Sequence, residues 1–140
     1  MAYVSRIPTT GELPAVGDDS RNIGPTLAEA MHIEGALGAA LVDYSSGEIL
    51  GAESTGLDLT VAAAGDSAVI RAKIASLVQL DLDDEIDEVF ITLGTQYHLM
   101  RMVNDSETPR LFLYLVLDRS RAILAMARHK LVLAARQLSV

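Results

Sequence analysis

The sequence predicts a three-layer α/β sandwich, a five-stranded, mostly antiparallel sheet with helices on both faces. Three observations lead there. Apolar runs of strand length occur five times, four of them grouped as two hairpins. A long stretch, residues 59–80, has helical periodicity and separates the hairpins. The chain then closes with an apolar strand and a second helical pattern, giving the order α-β-β-α-β-β-β-α.

A first helix should open at Pro25, a residue suited to a first helical turn, and run through Leu27, Ala30 and Met31. Ahead of it, Pro8, Gly11, Pro14, Gly17 and an Asp-Asp-Ser cluster suggest a flexible tail over residues 1–22, with the domain proper at 23–140. GALGAALVDY and EILGAES flank Ser45-Ser46-Gly47, a hairpin signal. Gly35, Gly38 and Gly51 let something approach these strands closely. They fit neither a dinucleotide fingerprint nor a phosphate loop, since no Lys-Ser/Thr follows.

Asp58 is placed to cap the long helix. At 100° per residue, Leu59, Ala63, Ile70, Ile74, Leu77 and Val78 form the stripe expected to lie on the sheet. Val61, Ala64, Ala68, Ala72 and Ala75 form a second apolar face nearly opposite, with Asp66, Lys73 and Ser76 between. That second face is either a close helix–helix contact between chains or simply alanine favouring an exposed helix. LDLDDEIDE carries six acids in nine residues. It lacks the glycine and terminal glutamate of a calcium loop, so it reads as a solvated turn.

VFITLGTQYHLMRMV reads as two strands folded around Gly94, neither cleanly polar on one face, so both faces should be covered. RLFLYLVLD, apolar throughout, suits a central strand. The last helix should start at Asp118 or Ser120 and reach Leu138, with Leu124, Ala127, Leu131, Ala134 and Leu138 as its core stripe. Met126 and Leu133 fall off that stripe and should be exposed.

Composition narrows the function. The 140 residues suffice for one well-cored domain. With no cysteine there is no disulfide, thiol nucleophile or thiolate metal site. No signal-peptide pattern or apolar run of membrane-spanning length occurs, so a soluble, cytoplasmic protein with no membrane partner is expected. A net charge of −8 argues against nucleic acid. Yet every charge after Asp118 is basic (Arg119, Arg121, Arg128, Lys130, Arg136), leaving about −13 on the rest of the chain. These cations either oppose a helix dipole or face a partner.

Catalytic patterns are missing. His32, His98 and His129 form no metal-ligand pair, and the serines lack a nucleophile-elbow context. Asp43 is explained equally by turn chemistry. Arg101, amid apolar neighbours, should be paired with an acid or aimed at a ligand. No enzyme, cofactor or metal is expected.

The element order, GALGAALVDYSSGEIL, the long helix and especially DEVFITLGTQYHLMRMV resemble the Roadblock/LC7 proteins. That family is named for dynein light chains and includes bacterial regulators of small GTPases. The resemblance spans residues 25–140, and the short first helix and the acidic run depart from it. It implies the long helix on one face of the sheet and two helices on the other. It also implies a homodimer whose third strands pair antiparallel through Val89, Phe90, Ile91 and Leu93. The long helices would then lie side by side on Ala64, Ala68, Ala72 and Ala75. Such a dimer would bind and regulate a partner NTPase, most specifically a Ras-like small GTPase, with Asp66, Arg71 and Lys73 at the docking surface. A small-molecule sensor and a scaffold without an NTPase are the alternatives.

Overall fold

The structure is a computed structural model; it describes residues 22–103 and 110–138. The expected tail, apart from Asn22, therefore lies outside the described residues, as do residues 104–109 and 139–140. The elements are α1 (Ile23–Ala30), β1 (Ala36–Asp43), β2 (Glu48–Ser54), α2 (Thr60–Gln79), β3 (Glu88–Thr92), β4 (Gln96–Val103), β5 (Leu111–Asp118) and α3 (Leu124–Gln137).

The five strands form one sheet in the order β2-β1-β5-β4-β3, antiparallel at every pairing. β5 lies at the centre because its side chains are apolar on both faces, and seven of its eight residues are buried. Leu113, Leu115 and Leu117 pack with Leu27 of α1 and Ala127, Leu131 and Ala134 of α3. Phe112, Tyr114 and Val116 point the other way and pack with Ala63 and Ile70 of α2. One long helix therefore covers one face and two helices the other.

The hairpin glycines admit helices. A Cβ on Gly51 would lie 2.9 Å from Ile23 Cγ2 of α1, and one on Gly38 would lie 3.2 Å from Leu59 Cδ2 at the mouth of α2. Asp43 proves to be turn chemistry: its Oδ1 accepts from Ser45 N and Oγ at 2.9 and 2.6 Å. Gly47 completes the turn at φ +82°.

Helix ends depart from expectation in instructive ways. The N-cap of α2 is Leu59 rather than the expected Asp58; Asp58, one residue earlier, accepts a hydrogen bond from Thr60 N at 2.9 Å. That bond holds its carboxyl below the usual range. At the other end Asp81, at φ +58°, closes a Schellman turn: Asp81 N donates to Val78 O and Leu82 N to Leu77 O, both at 3.0 Å. Val78, expected on the core stripe, is 74 % exposed because the last turn of α2 runs past the packed sheet face. The final helix starts later than expected. Asp118 Oδ1 accepts from Ser120 N and Oγ at 2.9 and 2.8 Å, making a local turn that delays α3 to Leu124.

β3 also differs from expectation. Its Val89 and Ile91 side chains pack toward α2, but Phe90 and Thr92 are exposed on the opposite face.

Candidate functional site

The expected interface residues fall on two surfaces. Ala64, Ala68, Ala72 and Ala75 are all exposed along the outer face of α2. Val61 extends the face at 80 % exposure, and a Cβ on Gly65 would meet nothing within 4 Å. No charged side chain interrupts this strip of small residues at positions 61, 64, 65, 68, 72 and 75. The second surface is β3, a sheet edge with β4 on one side and no strand on the other. Val89 and Ile91 are half-buried there, while Phe90 and Leu93 are 37 % and 42 % exposed.

The three residues expected at a docking surface are not equivalent. Arg71 and Lys73 are exposed. Arg71 Nη1 donates to Tyr44 O at 2.6 Å, which ties the helix to the β1–β2 turn. Asp66 instead turns inward, its side chain 14 % exposed, toward His98 of β4.

That inward turn creates a polar cluster beneath α2 which no sequence motif announced. His98 Nε2 lies 2.9 Å from Gln96 Oε1, and its Nδ1 lies 3.1 Å from the Tyr114 hydroxyl, so the ring is held between β4 and β5. Asp66 Oδ2 lies 3.9 Å from the same Nδ1 and is buried without a hydrogen-bond partner. Burial depresses the His98 pKa, with Asp66 opposing that shift. Burial, reinforced by Asp66, raises the Tyr114 phenol. Ser67 is fully buried, and its Oγ too lacks a partner. The sequence held a usable signal: Asp66 and Ser67 sit within the Ala63–Ile70 stripe that faces the sheet. His98 and Tyr114 occupy the α2-facing positions of neighbouring strands.

Arg101 has no acid within ion-pairing distance among the described residues. Its cross-strand neighbour Glu88 is paired instead with Arg128 of α3, which raises the Arg128 pKa. The sequence could not foresee this competition, because Arg128 reaches β3 from 40 positions away. Arg119 lies over the Tyr97 ring at 5.3 Å and donates to Leu93 O at 2.6 Å, bracing the Gly94 turn. Among the described residues no group of three His, Asp or Glu is placed to hold a metal ion. None of their helices is long and apolar enough to cross a membrane.

A three-layer α/β sandwich with this strand order, β2 and β3 at its edges and one face under a single long helix, defines a recognisable class. The fold is that of the Roadblock/LC7 domain. No protein-family model matches the chain, and no curated protein matches it. Solved structures do. One described as MglB with tetrameric arrangement superposes with a TM-score of 0.73 at 20 % identity, over 94 % of this chain and 95 % of the other. The gliding protein MglB from Thermus thermophilus gives 0.70 at 18 %, over 91 % and 93 %. A Roadblock/LC7 domain from Streptomyces avermitilis gives 0.66 at 13 %, over 79 % and 89 %.

Proposed function

We propose that the chain is a homodimeric, non-enzymatic interaction module of the Roadblock/LC7 type that binds and regulates a partner NTPase, specifically a Ras-like small GTPase. The observation that carries this reading is the uncharged outer face of α2 lying on the same molecule as an uncovered edge strand. Burying Ala64, Ala68, Ala72 and Ala75 costs almost no side-chain entropy and brings two helix backbones close. Pairing β3 with a second β3 satisfies its outward peptide groups and removes an aggregation-prone edge. Two copies related by a two-fold axis satisfy both demands at once.

The GTPase part rests on the Roadblock/LC7 resemblance, whose bacterial members include small-GTPase regulators, and on the fold shared with MglB structures. In this reading the paired α2 helices form a platform with Arg71 and Lys73 at its margins. Arg71 is already oriented by Tyr44 O. The platform would hold the partner's nucleotide-dependent segment in one conformation; it would donate no group to the reaction. The sensor alternative is disfavoured, because the space that the hairpin glycines leave open is filled by Ile23, Leu27 and Leu59.

The test is capture of partners from the source cell on immobilised protein, with GDP or a non-hydrolysable GTP analogue added to the extract to set the partner's nucleotide state. Recovery of a small GTPase in one nucleotide state supports the reading. Recovery of no NTPase in either state leaves a scaffold. Sedimentation of the purified chain tests the dimer separately: a one-chain mass at micromolar concentration sinks it.

A further inference from the structure

The outer face of α3 lies on the opposite side of the sheet from α2 and plays no part in the proposed dimer. It carries Met126 and Leu133, 50 % and 41 % exposed, with Ile123 at 58 % just before the helix. The charged side chains around them are basic: Lys130 and Arg136 are exposed, and Arg128 is held by Glu88. From residue 119 to the end of the chain there is no acid to neutralise them. A solvated helix face usually mixes both signs; this one is cationic and apolar.

The complementary surface is present on the same chain. After the Schellman turn at Asp81, Leu80 and Leu82 are 64 % and 51 % exposed, and Asp81, Asp83, Asp84, Glu85 and Asp87 are all exposed. This segment is held at both ends. Leu82 N donates to Leu77 O at 3.0 Å, and at the far end Met102 N donates to Asp87 O at 3.0 Å, next to the half-buried Ile86. Holding the segment in one shape lowers the entropy lost when it docks. Within one chain Arg128 is taken by Glu88, just after the segment, and the acids at 81, 83, 84 and 85 form no ion pair among the described residues.

We propose that the acidic, leucine-bearing segment 80–87 of one copy docks on the basic, apolar outer face of α3 of a second copy. The contact matches opposite charges around apolar centres, which is the arrangement that gives register and orientation to an interface. It joins two different patches, so it is heterologous. It can link proposed dimers into larger assemblies, and it uses neither the outer face of α2 nor the β3 strand itself. Each copy carries a net charge of −8, so long-range repulsion opposes the contact at very low salt. Near physiological ionic strength the Debye length of about 8 Å screens that repulsion while contact-range pairs survive, and about 1 M salt screens both.

The experiment is sedimentation velocity of the full chain across that salt range. Three proteins are compared: the wild type, Lys130→Glu with Arg136→Glu, and Asp83→Lys with Asp84→Lys. The wild type should form species above its high-salt mass at intermediate salt and revert at about 1 M. Each charge-reversed protein should lose these species, its association weakened at least about tenfold by the like charges it sets against each other. An equimolar mixture of the two variants should regain them, because the reversed patches again complement each other. All four substituted side chains are exposed, and unchanged circular dichroism confirms folding. A wild type that keeps one mass at every salt concentration overturns the proposal, as does a mixture that fails to regain assembly. The high-salt mass, one chain or two, reports separately on the dimer.

Discussion

α2 and α3 are both alanine-rich helices laid on the same sheet, yet they are built the opposite way round. α3 buries Ala127, Leu131 and Ala134 and keeps its charges outside. α2 buries Ala63 and Ile70 but also Ser67, with Asp66 half-buried beside them, and keeps alanines outside. The first is the ordinary amphipathic layer. The second places polar groups beneath the helix, where two of their oxygens lack partners, and apolar surface where water would be. A helix held less well by its own sheet and poorly solvated outside is suited to a second contact on its outer face.

The largest effects should come from the buried anchors of the two helices. Leu131→Ala and Ile70→Ala should each destabilise by about 3 kcal/mol, within the usual range for truncating a fully buried aliphatic side chain; denaturant unfolding checks both. A negligible loss at Ile70 would show that α2 is not a core layer. Next come the outer faces. Ala68→Glu should weaken the proposed dimer by at least about a hundredfold, by burying two like charges across the axis. Leu133→Glu on α3 should leave that dimer intact when both are sedimented at high salt. Equal responses would erase the contrast between the two faces.

Smaller effects probe the undersides. Ser67→Ala removes a buried hydroxyl that has no partner, so stability should be unchanged or rise by up to about 1 kcal/mol. Ala134→Ser adds such a hydroxyl under α3 and should cost about 1–3 kcal/mol. The last test is pH. Burial depresses the His98 pKa below its ordinary value of 6.5, so below that value the unfolded chain binds a proton that the folded chain resists. Stability should therefore be fully present above about pH 6.5 and fall as pH drops toward the folded pKa. Comparing unfolding midpoints at about pH 7.5 and about pH 5.5 for the wild type and His98→Gln isolates this contribution, which the variant should lack.

The sequence was most legible where one physical requirement dominated. An unbroken apolar run can only be buried on both faces, so β5 was readable as central. The Ala63–Ile70 and Leu124–Leu138 stripes placed their helices on the sheet, and the exposure of Met126 and Leu133 followed from the same periodicity. The small-residue strip of α2 was legible as an exposed or partner-facing surface. It was illegible at element ends and in polar pairings. Local hydrogen bonds at Asp118 postponed α3, the end of the sheet contact left Val78 in water, and neither shows in periodicity.

Local pattern and propensity thus determined the element order, the faces of the helices and the interruption of the chain at Gly47 and Gly94. Only the tertiary structure decided which charges meet. Glu88 had Arg101 opposite it in register yet paired with Arg128. Asp66, read as a surface residue, turned toward His98 and Tyr114. Pairing depends on distances set by strands and helices far apart in the chain, and no spacing within a single element encodes those distances.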